Sequence, residues 1–419
     1  MNGTIIIPFI LLCIIYVLYL YHLAVIKEGK VINVLVPYII ISLPTLYVFE
    51  IFYLYLTNGS DSISEYLFFY CCYILYLSAF VISYLYTQNK SDEKPVPYAQ
   101  VENNYGLIAV GFTLLGFLTY LPVLVEFKEY ILQPRRIYEL TRTGYGIYFY
   151  PSLMFSQLGI ITAFFLLRKQ KFIAFTLIAI NVFLIFLHGN KGPVFNMFIA
   201  FILFQSYIVG KNVKLAFLIK AFTAIAVIVS AFFVYTYNGG NPLINMAYYS
   251  DYTRNAVLLA HSNFDFTYGK LLLEGEIYSR IPRALWPQKP EDFGSLYLAK
   301  VFFPEAFYRN QGAPAFGYGE IYADFGYFTP LYLIITGTIK GVMTKFFMNK
   351  TEQTRSAHYF ILFIFCAGIS IIPVSMGWLL PEHLVIALAV YCASRFVLTR
   401  KKLVLFKNVE FVWFKKDER

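Results

Sequence analysis

The feature that most constrains this chain is a succession of long apolar runs. Each is roughly 17–25 residues, the length that carries a helix across a hydrocarbon core. They fall near 4–24, 31–56, 64–86, 105–125, 147–167, 172–188, 193–209, 215–236, 326–345, 358–378 and 382–398. Composition agrees, with 59% of residues hydrophobic and 14% charged, against about 25% charged in soluble domains. The expected fold class is an all-α polytopic membrane protein of about eleven transmembrane helices. The first run, Thr4–Ala24, has no basic residues before it and is long for a signal segment, so it reads as a retained span.

The connections set the expected orientation. Lys27 and Lys30, Lys90 and Lys94, Arg168 with Lys169 and Lys171, Lys211 and Lys214, and Lys345 with Lys350 and Arg355 fall on one side, together with the tail after Arg400. A Lys/Arg excess marks the cytoplasmic side, which places the N-terminus outside and the C-terminus inside. The net charge of +10 is therefore a topology signal, not a nucleic-acid footprint. The expected division is residues 1–236 as eight spans with an outer loop at 126–146, then a long periplasmic or extracellular loop at 237–325. Spans nine to eleven follow at 326–398, then a basic cytoplasmic tail at 399–419. A loop of this length translocates whatever its charge. The five cysteines (Cys13, Cys71, Cys72, Cys366, Cys392) all lie in apolar runs and act as small hydrophobes. No D-x-D, HExxH or clustered His/Asp set occurs, so neither a metal nor another cofactor is expected.

Chemistry concentrates in the expected outer segments. QPRRIYELTRTGYG brings Arg135, Arg136 and Arg142 together at a membrane face. Arginine forks bind phosphate oxygens bidentately; the plainer reading is a loop resting on anionic headgroups. SRIPRALWPQKPEDFG carries Arg280, Arg283 and Lys289 on a backbone stiffened by Pro282, Pro287 and Pro290, with Trp286 able to anchor at the interface. The long loop as a whole holds seven Lys and Arg against nine Asp and Glu, so an anion site there must come from local clustering. GAPAFGYGEIYADFGY places Glu320 and Asp324 four apart, on one face if the helix begins early. A carboxylate at the mouth of a membrane cavity suits a general base; the alternative is a pair with a loop arginine. Lys191 follows His188 at the end of the sixth run, and His261 lies well inside the long loop. Glu50, within a span, is a functional candidate by default.

A first outer loop with arginines, a longer one before the last three spans, and the phrases IPRALWPQKP and GYGEIYADFG together resemble the Wzy-type oligosaccharide repeat-unit polymerases. These are bacterial membrane enzymes of O-antigen, capsule and exopolysaccharide assembly. The R-x10-G spacing of some members fits Arg135–Gly146 and Arg283–Gly294. The layout covers nearly the whole chain; the sharp phrases cover Arg280–Tyr327.

The resemblance implies a C-type inverting, metal-independent glycosyltransferase of the bacterial cytoplasmic membrane. Its substrates would be undecaprenyl-diphosphate-linked oligosaccharides, with membrane lipids around it and no nucleic acid. Whether a chain-length regulator and a flippase join as protein partners stays open. Arg135, Arg136, Arg142, Lys191, Arg280, Arg283 and Lys289 are the candidates to take up diphosphate charge. Glu320 is the favoured base and His261 the other. Trp286, Tyr318 and Tyr322 are candidates to stack on sugar rings, with Asp324 beside them. The competing readings are an O-antigen ligase, which leans on a loop histidine, and a lipid-linked oligosaccharide flippase. Flippases have more spans and short loops.

Overall fold

A computed structural model describes residues 3–57, 62–87, 105–141, 144–189, 192–211, 251–262, 264–283, 285–310, 314–371 and 381–399, with single positions at 216, 220, 244, 247 and 248. Among these residues every regular element is helical. The expected eighth span, Arg142, Lys191 and the tail from Arg400 lie outside the described residues.

Helix α1 (Gly3–Glu28) shows why the chain needs lipid. Ile6, Ile10, Cys13, Val17, Leu20 and Ala24 are buried at alternating spacings of four and three, while Ile5, Leu12, Ile15 and Tyr19 on the other side are exposed. A helix apolar all round with one stripe inside the protein must put the rest against hydrocarbon. The next helix, α2 (Tyr38–Leu56), begins later than expected. Pro37 precedes it, and the buried Asn33 holds a turn before that by accepting the Leu35 amide at 2.9 Å.

Then follow α3 (Ile63–Tyr86), α4 (Tyr105–Glu126), the short α5 (Pro134–Leu140), α6 (Gly146–Phe164), α7 (Lys171–Leu187) and α8 (Gly192–Val209). Five short helices come next: α9 (Tyr252–His261), α10 (Lys270–Tyr278), α11 (Ser295–Phe302), α12 (Pro304–Asn310) and α13 (Gly319–Phe325). The chain ends in α14 (Thr329–Thr354), α15 (Ala357–Cys366) and α16 (Pro381–Thr399).

Seven helices among the described residues are long and apolar enough to cross a membrane: α1, α2, α3, α4, α6, α8 and the run Gly319–Thr354. Helices α7 and α15 are shorter apolar ones. The chain is a multi-pass helical membrane protein. Helix α14 also runs past the expected end at 345, so Lys345 and Lys350 stand on helix, not in a loop.

The helices are joined by small residues and buried polar groups, as packing in lipid requires. Helices α3 and α14 run parallel, with Gly337 against Tyr76 and Gly341 against Phe80 and Ser83. On α4 and α6, the Ser152 hydroxyl donates to the Gly116 carbonyl at 2.7 Å; Asn181 of α7 donates to Thr113 at 2.7 Å beside Gly159. At the end away from the short helices, Lys30 pairs with Glu352, the Tyr207 hydroxyl donates to Glu28 at 2.6 Å, and Arg355 donates to the Tyr207 and Ile208 carbonyls.

Gly341 gives the first testable consequence. A Cβ there would lie 2.0 Å from Ser83 Oγ and 2.3 Å from the Phe80 carbonyl oxygen. Gly341→Val should separate α3 from α14, an overpacking cost of about 1–3 kcal/mol or more. The check is a lowered melting temperature in detergent. Gly111→Ala, where nothing lies within 4 Å, should leave it unchanged.

Candidate active site at the loop end of the bundle

The short helices α9–α13 gather at the end of the bundle formed by the C-terminus of α2 and the N-termini of α3 and α14. Helix α9 docks on α3, where Tyr73 Oη and Thr253 Oγ1 are 3.1 Å apart. Helix α13 lies against α9 so closely that a Cβ on Gly319 would meet Ala256 Cα at 2.8 Å. Gly326 ends α13 at φ +53°, and a Cβ there would lie 2.6 Å from the Phe266 ring. These two glycines explain why GYGEIYADFG is written as it is: bare backbone is what lets α13 sit down on its neighbours.

Glu320 and Asp324 both fall on α13, as the spacing predicts, yet they are used differently. Asp324 is fully buried. Its carboxylate accepts the amides of Leu271 at 3.0 Å and Leu272 at 2.8 Å and the Thr267 hydroxyl at 2.5 Å. It caps the first turn of α10 from a distant part of the chain, neutralising open amides and complementing the helix dipole. The role this supports is a scaffold for the loop, not a contact to sugar. Glu320, half-buried beside Gly319, has no cation within ion-pair distance among the described residues.

The tyrosines of the same phrase also turn inward. Tyr322 is 6% exposed, boxed by Phe68, Phe69, Phe266 and Tyr327 at centroid distances of 5.5–5.9 Å. Tyr318 packs on Tyr73 at 4.8 Å and Tyr76 at 5.8 Å. Their rings hold α13 to α3. Trp286 is half-buried and edge-on to Tyr278 at 5.0 Å, with Phe293 on the same ring at 5.7 Å, a small core for the proline-rich loop.

The three cations of that loop divide in two. Arg280 is clamped by carboxylates, with Glu276 at 2.6 Å and Glu382 of α16 on its Nε. Burial alone would lower its pKa, but the hydrogen bonds to Glu276 and Glu382 outweigh it and raise it. Arg283 is exposed and donates to two carbonyls, Lys289 at 2.5 Å and Pro290 at 3.0 Å. Lys289 returns the gesture, donating to the Tyr278 and Ile281 carbonyls at 3.1 and 2.9 Å. Burial, then the nearby Arg283 charge, push the Lys289 pKa down. Neither has a carboxylate within ion-pair distance among the described residues. Two adjacent cations held by carbonyls, with the Phe293 ring 5.1 Å from the Lys289 ammonium, and with no carboxylate paired to them among the described residues, keep their net charge, and that is the arrangement an anion can use.

The first loop reaches the same end of the bundle. Gly189 after α7, at φ +63°, lies against the backbone of Pro134, where a Cβ would meet the carbonyl oxygen at 2.2 Å. Behind it the buried His188 stacks on Tyr120 at 4.1 Å and has Nδ1 2.6 Å from the Leu184 carbonyl, so it is core. Arg135 is exposed and pairs with Glu139 at 3.0 Å; Arg136 lies over the Tyr130 ring at 4.4 Å. Among the described residues no hydrogen bond or ion pair joins Arg135 or Arg136 to the loop of Arg283. His261 is exposed at the end of α9, its Nδ1 3.4 Å from Glu65.

Sequence reading missed Arg254 and Glu382. Arg254 of α9 is nearly buried, its Nε 3.7 Å from Glu50 and its guanidinium 3.9 Å above Tyr53. Glu50 in turn accepts the Tyr66 hydroxyl at 2.7 Å. An acid inside a span needs a partner, so Glu50 was a signal that a cation sits opposite. Nothing near Arg254 in the chain says that it is that cation.

No family model matches the chain, and no solved structure does. Two proteins named O-antigen polymerase, from Salmonella typhimurium strain LT2 and Salmonella typhi, are each 63% identical over 409 residues, spanning 96% of this chain and 99% of theirs. This is the family that the loop phrases resemble. Identity at that level along nearly the whole of both lengths leaves one conclusion: the chain belongs to the O-antigen polymerase family.

Proposed function

We propose that the chain polymerises undecaprenyl-diphosphate-linked oligosaccharide repeat units into O-antigen polysaccharide at the outer face of the bacterial cytoplasmic membrane. The observation that carries this reading is the near-full-length identity to two O-antigen polymerases. It favours polymerase over the ligase and flippase readings. The topology that goes with it is N-out and C-in, with eleven spans and a C-type glycosyltransferase layout. Residues 237–325 form the outer segment between membrane parts 1–236 and 326–398, and 399–419 form a cytoplasmic tail.

The reaction is a displacement at the anomeric carbon of the growing chain. The acceptor sugar hydroxyl attacks, the bond from that carbon to the diphosphate oxygen breaks, and undecaprenyl diphosphate leaves with the electron pair. The configuration inverts. Glu320 takes the hydroxyl proton as general base, with His261 the other candidate. Diphosphate is a good leaving group, so the site chiefly has to meet its charge. Arg283 and Lys289 suit that task because no carboxylate among the described residues neutralises them. Arg280 is spent on Glu276 and Glu382, and its part is to tie the loop to α16. Arg135 and Arg136, with Arg142 and Lys191, add cations from the first loop and the α7–α8 turn. Trp286 remains the stacking candidate; Tyr318, Tyr322 and Asp324 serve as scaffold. A flippase that delivers the units and a chain-length regulator are the partners this reading calls for.

The test is extension in proteoliposomes. Lipid-linked repeat unit extracted from polymerase-deficient cells should be converted by the purified chain into a ladder, with and without EDTA. A product still of one repeat would overturn the reading. Loss in EDTA would overturn metal independence alone.

A further inference from the structure

We infer that Glu50 and Arg254 form a buried positioning pair, which docks α9 on the ends of α2 and α3 and thereby sets the place of Glu320. This rests on the reading of the chain as a polymerase with Glu320 as base.

The pair is built, not incidental. Glu50 stands on a membrane-crossing helix at 2% side-chain exposure, and Arg254 comes from the loop segment at 12%. Ionisable groups at such depth are costly, and breaking one member leaves the other uncompensated. Both are fixed by further contacts. Tyr66 of α3 donates to one Glu50 oxygen at 2.7 Å, and Arg254 approaches the other at 3.7 Å. Tyr53 supports the guanidinium face at 3.9 Å, and Tyr248 stands at 5.8 Å. The consecutive helices α2 and α3 and the distant α9 therefore meet at one carboxylate.

From there the linkage to Glu320 is short and stiff. Thr253, next to Arg254, meets Tyr73 of α3 at 3.1 Å. Asn255 donates to the Ala315 carbonyl at 2.9 Å, at the start of the turn into α13. Ala256 is the residue on which Gly319 sits, at a Cβ approach of 2.8 Å, and Glu320 follows Gly319. A shift of α9 on α3 thus moves the acid on α13 directly. Near-attack geometry is sensitive to this, since a misplacement of about 1 Å costs on the order of 10²-fold.

The experiment measures kcat and KM for the extracted lipid-linked repeat unit in proteoliposomes, for Arg254→Met, Glu50→Gln, Arg254→Lys, Arg254→Glu and the exchange Glu50→Arg with Arg254→Glu. A positioning pair predicts kcat lower by about 10²-fold in the first two, with KM within about threefold. The exchange should restore about tenfold over the Arg254→Glu single variant. Arg254→Lys, which keeps the charge, should retain more activity than Arg254→Met. A rise in KM with kcat unchanged, or Arg254→Lys no better than Arg254→Met, would overturn the pair. So would an exchange variant that inserts in the membrane yet shows no recovery.

A second readout does not use activity. In a background freed of native cysteines, Ala323→Cys, buried on α13, should react with a membrane-impermeant maleimide about tenfold faster once Arg254→Met is added, as local opening predicts. Equal rates would sink the docking role even if the chain proved not to be a polymerase. An inactive wild type would sink the polymerase reading alone.

Discussion

Arg283→Ala should leave the chain in the membrane at wild-type level while long glycan chains disappear and single-repeat products remain. The guanidinium has five N–H groups, and two of them hold the Lys289 and Pro290 carbonyls. Among the described residues no acid is paired to the charge. Removing one donor of this kind from a site that stabilises developing negative charge costs about 10²–10³ in rate. Arg283→Lys separates charge from shape, because lysine keeps the cation but cannot bridge two carbonyls as a fork. It should fall between alanine and wild type. The check is a glycan ladder from cells with matched membrane levels; a wild-type ladder from the alanine variant would end the proposed diphosphate role.

Glu320→Gln carries the second large effect. The amide keeps the size of the side chain and removes the base, and a general base contributes about 10²–10⁴-fold. The Glu320 carboxylate takes a backbone hydrogen bond from Phe316, just before α13, and a glutamine oxygen can accept the same bond, so the substitution should leave the loop folded. The measurement is the initial rate of extension in proteoliposomes. A rate within about twofold of wild type would pass the role to His261, which His261→Ala then decides.

What the sequence made legible follows from range. Span positions depend on hydropathy along a few turns, and the described helices fall where the apolar runs do. The exceptions have local causes: Pro37 and the Asn33 turn delay α2, α15 stops at Cys366, short of the expected 378, with Gly368 at φ +98° just after it, and α14 continues because its polar last turns still form helix. The stiffness of IPRALWPQKP was legible from its prolines, and the glycines of GYGEIYADFG from their spacing. Partners were not. Arg280 reads as a free cation until α16 brings Glu382 to it across 102 residues. Tyr318 and Tyr322 read as sugar platforms until α3 covers their rings. Asp324 reads as a second acid until α10 places two amides on it. Charge and aromatic content belong to the local string, whereas what each group is spent on is decided by elements that meet only in the fold.

The parallel seam between α3 and α14 has a bearing on how such chains diversify. One face of α3 meets α14 through Tyr76, Phe80 and Ser83, while Phe68, Phe69 and Tyr73 receive the loop helices. A single membrane helix is thus both the keel of the bundle and the socket of the loop helices. Recombination that carried the loop into another scaffold without this helix would deliver an insert with nowhere to seat. Substrate range in such proteins should therefore evolve by paired change in two separated stretches of the gene, and exchange of the loop alone should yield silent hybrids.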